Sequence, residues 1–164
     1  MEKSEKEKPL KKIKEKYSEY QKKFSLPEFH ELNKEFGIEK AEDETEFFLR
    51  EIIKVMIDKF QNYMRFLEGL LNPSGNSLFA FSIIKLIDNG NKQKLSDAYK
   101  KISEIELKII LLDIESDENT EAEFINYSYK IWKEIKKNLL DVMKKVEENY
   151  NAKPEGENKK GYFG

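Results

Sequence analysis

Apolar residues recur along this chain at helical spacing, and six segments carry the pattern. In the first, Leu10, Ile13, Tyr17, Tyr20 and Phe24 step by 3, 4, 3 and 4. That is a narrow stripe of coiled-coil type on an otherwise charged helix. Pro9 is expected near the first turn, where its missing N–H costs nothing. Ser25-Leu26-Pro27-Glu28 reads as a capping box that opens a short second helix. Phe29, Leu32 and Phe36 form its inner face, and Gly37 supplies the stop.

The third helix is expected from about Glu44 to Leu71 and is the predicted hub. Phe48, Ile52, Val55, Met56, Phe60, Tyr63, Phe66, Leu67, Leu70 and Leu71 cover more than half of its circumference, which implies several neighbours. The fourth, about Ser77 to Asp88, is apolar nearly all round and is expected to be central. A fifth is expected over Lys92 to Ile114, with Leu107, Ile109, Ile110, Leu111, Leu112 and Ile114 heavily buried. The sixth, about Thr120 to Tyr150, is amphipathic: Phe124, Trp132, Ile135, Leu139, Val142 and Val146 share one arc, and Lys130, Lys133, Lys137 and Lys144 lie opposite.

The predicted fold is an all-α, single-domain helical bundle of five to six helices, with helices three to six at its centre. Residues 1–24 form the amphipathic, charged N-terminal helix and residues 25–150 the bundle. Residues 151–164 have no periodicity and read as a flexible tail. At 164 residues, with hydrophobic residues at 38% and seven glycines, the chain suits one core built without many short strands.

Charge changes this picture little. The net charge is −2, with lysines gathered before Lys23 and six acids and no base between Asp113 and Glu123. An acidic chain with only two arginines, Arg50 and Arg65, is a poor electrostatic match for nucleic acid. The lysine faces are interleaved with acids, as on any solvated helix. No apolar segment opens the chain, and its longest apolar runs fall far short of a bilayer span. A cytoplasmic protein is expected, with no membrane partner.

Candidate chemistry is sparse. With no cysteine and one histidine, thiol catalysis, thiolate metal sites and the paired Glu-x-x-His motif of di-iron bundles are all excluded. Asp113, Glu115, Asp117, Asn119 and Glu121 alternate like calcium ligands. However, Glu118 and Phe124 stand where an EF-hand needs glycine and a bidentate glutamate. Glu-x-x-Glu spacings occur at Glu28/Glu31 and Glu115/Glu118/Glu121, the kind that hold magnesium in all-helical nucleotide pyrophosphohydrolases. The further Glu-x-x-Asp pair those enzymes need is not found. His30 lies off the apolar face of its helix and has no evident partner.

Neither catalytic residues nor cofactor or metal ligands are therefore assigned. The function expected is a non-catalytic protein–protein interaction or scaffold protein of unknown partner, with a homo-oligomer among its possible forms. Leu10, Ile13, Tyr17, Tyr20 and Phe24 are the candidate contacts, joined by Tyr162 and Phe163 of the tail. The alternatives are a carboxylate- and magnesium-dependent nucleotide-processing helical enzyme, or a nucleic-acid-associated accessory protein.

Overall fold

The computed structural model describes residues 2–72 and 78–152, and among them there is no strand. Six α-helices follow one another: α1 (Glu2–Phe24), α2 (Phe29–Phe36), α3 (Phe48–Leu71), α4 (Leu78–Ile84), α5 (Asn89–Ile114) and α6 (Glu118–Asn151). A 3-10 turn, Ile38–Lys40, lies between α2 and α3. The fold is an all-α bundle. Tyr162 and Phe163 fall outside the described residues, as do residues 73–77 of the turn after α3.

The centre is a triangle of α3, α5 and α6, with α1 and α2 laid across one side. Helix α3 is the hub: Phe48, Leu49, Ile52, Ile53, Met56, Ile57, Phe60 and Leu67 are all buried. Aromatic rings join α2, α3 and α6. Trp132 meets Phe36 and Phe60 at 5.9 Å and Tyr63 at 5.1 Å between ring centroids. Side-chain area of this size dominates the stability of a small core.

The first helix is part of that core. Tyr17 is wholly buried, its hydroxyl donating to the Pro27 carbonyl at 2.7 Å and its ring edge-on to Phe29 at 5.4 Å. Ile13 is buried too, while Leu10, Tyr20 and Phe24 are half-buried against the core. Ile13 and Tyr17 of the stripe read as an external contact surface are thus turned into the chain, while Leu10, Tyr20 and Phe24 keep part of their surface exposed. A narrow stripe still docks a helix firmly when a groove of matching shape receives it. Lys16 adds hydrogen bonds to the carbonyls of Asp43 (2.5 Å) and Thr45 (2.6 Å).

Local signals are corrected in four places. Helix α1 starts at Glu2, so Pro9 lies well inside it and not in its first turn. Ser25 ends α1 in the left-handed conformation (φ 53°), and Leu26 N–H bonds back to the Gln21 carbonyl at 3.3 Å. This is a Schellman-type stop, with buried Leu26 as its apolar clasp. Glu28 is the N-cap of α2 and makes no side-chain capping bond, so no capping box forms there. Helix α3 starts at Phe48, because Thr45 Oγ1 accepts from Phe47 N–H at 3.1 Å and holds the preceding residues in a turn.

Gly37 does terminate α2 in the left-handed conformation, φ 72°. The fourth helix is short and peripheral. Leu78 is 89% exposed and Phe81 is exposed as well, while Ile83 is buried and Ile84 half-buried against the core.

A candidate interaction face on α5

Helix α5 is opened by Asp88, whose carboxylate accepts from Asn91 N–H at 2.7 Å and from the Asn91 side chain at 2.9 Å. From there Asn91, Leu95, Ala98, Ile102, Ile105 and Leu112 face inward, with Ile109 half-buried among them. Their steps of 4, 3, 4, 3, 4 and 3 define one seam of the helix.

Four large aliphatic residues lie outside that seam. Leu107, Ile110, Leu111 and Ile114 are 63%, 54%, 64% and 77% exposed. At 100° per residue they occupy the side of α5 opposite the core, at i, i+3, i+4 and i+7. The expectation that these four are buried is overturned. Together they expose on the order of 400 Å² of apolar surface, within the range of the largest apolar patch on a typical monomer, which is often functional.

A signal for this face was present in the sequence. The inward seam set by Leu95, Ala98, Ile102 and Ile105 continues to Ile109 and Leu112. Leu107, Ile110, Leu111 and Ile114 are out of phase with it. A helix with two opposed apolar stripes either sits between two layers or presents one stripe outward.

Arg50 fixes the end of this face. From α3 it reaches the corner between α5 and α6. Its Nη2 donates to the Leu112 carbonyl (2.8 Å) and Ser116 Oγ, its Nη1 to Asp113 (2.9 Å), and its Nε to Glu121 (3.0 Å). Glu121 is buried, so the planar fork of arginine neutralises a carboxylate that water reaches poorly. The corner also carries the capping box that opens α6: Asp117 accepts from Thr120 N–H at 2.8 Å, and Thr120 Oγ1 accepts from Asp117 N–H at 2.9 Å. Part of the acidic run read as calcium-like is therefore occupied with ending one helix and starting the next.

The α6 flank of the face holds a groove of about 360 Å³, bounded by Lys108, Leu111, Leu112, Phe124 and Tyr127 among others. Lys108 Nζ lies 4.6 Å from the Tyr127 ring centroid, and Lys101 pairs with Glu134. On the α3 flank, burial pushes the Glu106 carboxyl above its ordinary range, opposed by a hydrogen bond with Gln61.

The remaining candidates are dispersed. His30 is exposed, as are Lys130, Lys133, Lys137 and Lys144. Glu31 accepts from the Tyr129 hydroxyl at 2.9 Å. Among the described residues, no three histidine, aspartate or glutamate side chains converge as a metal site requires. No described helix is long and apolar enough to cross a membrane. Comparison with known proteins brings no match: no protein family, curated protein or solved structure resembles this chain.

Proposed function

We propose that this protein is a non-catalytic protein–protein interaction module that self-associates through the outer face of α5. The observation that carries the reading is the exposed stripe of Leu107, Ile110, Leu111 and Ile114 on a helix whose opposite side is already packed. The stripe has the spacing of a helix-pairing seam. Its charges select the partner and its direction. Lys100 and Lys108 stand towards one end of the stripe, and Asp113, Glu115 and the acidic corner at the other.

A second copy laid antiparallel, with its two-fold axis between Ile110 and Leu111, brings Leu107 opposite Ile114. It also brings the Lys100 end of one copy towards the acidic α5–α6 corner of the other. A parallel copy instead sets Lys100 against Lys100 at one end and acidic corner against acidic corner at the other, which is repulsive. Eight aliphatic side chains, with the stems of Lys100, Glu104 and Lys108 beside them, bury on the order of 1,000 Å². That is the lower bound for a specific interface, so the dimer is expected to be weak.

The absence of native cysteine makes this directly testable. In an antiparallel pair, Leu107 of one copy lies near Ile114 of the other, while the two Leu107 positions are about 10 Å apart along the axis. A disulfide needs Cα atoms within roughly 7 Å. Mild oxidation of mixed Leu107→Cys and Ile114→Cys chains is expected to give cross-linked dimer faster than either variant alone. Equal rates for the single variants and the mixture would contradict the antiparallel pairing. No cross-linking at all would contradict self-association through α5.

A further inference from the structure

The second feature of note lies on the other side of α6, where α2, α3 and α6 enclose a groove of about 260 Å³. Its floor is apolar, made by Phe66, Leu139, Leu140 and Met143, with Tyr63 and Trp132 at the inner end. Its polar end has an imbalance of charge. Lys34, Lys59 and Lys136 line the groove with Glu35 as the single carboxylate.

That carboxylate is already engaged on both oxygens. Oε2 accepts from Trp132 Nε1 at 2.8 Å and Oε1 from Lys136 at 2.7 Å. Burial pushes the Glu35 carboxyl up, but hydrogen bonds from Lys136 and Trp132 and the charges of Lys136 and Lys59 outweigh it. The group lies below its ordinary range and stays ionised. Among the described residues, Lys59 donates to the Glu35 main-chain carbonyl, and its ammonium stands 4.6 Å from the Trp132 ring and 5.4 Å from Phe36. It is half-buried, and burial holds its pKa below the usual lysine value, with Lys136 adding to the effect and Glu35 opposing it. A desolvated ammonium short of countercharge gains most from an anion that brings its own.

We propose that this groove binds a small single-chain amphiphilic anion, its acidic head between Lys59, Lys136 and Lys34 and its aliphatic tail along Phe66, Leu139, Leu140 and Met143. The volume sits just under the usual range for small-ligand sites, roughly 300–1,000 Å³, so the tail is short. Cations are repelled by the three lysines, and a neutral polar ligand neither supplies the missing countercharge nor covers the apolar floor. A long acyl chain would run out of the groove into water.

Trp132 is the sole tryptophan of the chain and forms part of the groove, so its emission reports occupancy directly. Octanoate, which stays monomeric at millimolar concentration, is the probe, with octan-1-ol and acetate as controls. Octanoate is expected to change Trp132 emission saturably, with octan-1-ol and acetate at least about tenfold weaker, a difference of roughly 1.4 kcal/mol. Leu140→Glu places a carboxylate on the exposed edge of the groove without touching the core, and is expected to abolish the response while circular dichroism stays unchanged. Lys59→Met, checked in the same way for folding, is expected to weaken octanoate and leave octan-1-ol unaffected. An absent or non-saturating octanoate response, octan-1-ol binding as tightly as octanoate, or a Leu140→Glu protein that responds normally would each overturn the proposal. None of these outcomes depends on whether α5 pairs with a second copy.

Discussion

Truncating Tyr17 separates a structural role for α1 from that of a surface contact. The side chain is fully buried, its ring packs on Phe29, and its hydroxyl donates to the Pro27 carbonyl. Removing a buried aromatic ring costs about 3–5 kcal/mol through lost transfer energy and the cavity left behind. Tyr17→Phe keeps the ring and loses the hydrogen bond, for about 1 kcal/mol. Urea unfolding followed by circular dichroism measures both. A Tyr17→Ala cost below about 1 kcal/mol would refute the placement of α1 in the core, since only exposed side chains are removed so cheaply.

The same residue makes a pH prediction. Burial, and after it the Glu28 charge, raises the Tyr17 phenol well above its ordinary value of 10.0. The folded state then holds a proton that the unfolded chain releases. Tyr17 therefore contributes its full stability below pH 10, and that contribution is lost as pH rises from there towards the folded pKa. The cost of Tyr17→Phe is expected to shrink and then reverse in strongly alkaline solution. A cost unchanged with pH would count against the buried phenol.

Arg50→Ala is expected to cost about 2–3 kcal/mol in urea unfolding, because it strands the buried Glu121 carboxylate and frees the α5–α6 corner. Arg50→Lys should recover less than half of this, since an ammonium lacks the fork that serves four acceptors at once. If alanine were as good as arginine there, the corner is held by its caps alone. Ser25→Gly relieves a left-handed backbone at an L-residue and, less the entropy that glycine adds to the unfolded chain, should stabilise by about 0.5 kcal/mol. A loss of stability in thermal unfolding would show that the Ser25 side chain has an unseen role.

Helix existence and type were legible because period and length agree for α1, α3, α5 and α6. The ends were less so. Ser25 looks like a cap because of the glutamate three residues on, yet burial of Leu26 selects the stop geometry instead. Misplacement of α4 and the outer half of α5 has one cause. Hydrophobicity alone does not distinguish a face that packs within the chain from one that awaits a partner. Leu78 and Leu111 have the residue type of a core position and the exposure of a surface one.

The groove beside Trp132 was illegible for a different reason. Glu35, Lys59 and Lys136 are far apart in sequence and meet only through the packing of α2, α3 and α6. Arg50 was visible as one of two arginines, but its four acceptors lie beyond residue 111 and no local pattern connects them.

Sedimentation equilibrium of the native chain and of Leu111→Glu, each at about 100 μM, tests the central claim most directly. This concentration suits an interface at the lower end of the size range. Leu111 lies beside the expected two-fold axis and is 64% exposed, so its replacement removes an interface contact and spares the fold. The native protein is expected to approach twice the 19.5 kDa chain mass, and the variant to remain at the chain mass with an unchanged circular dichroism spectrum. A native chain that stays monomeric, or a variant that dimerises as well as the native chain, would contradict the assignment of α5 as the contact face.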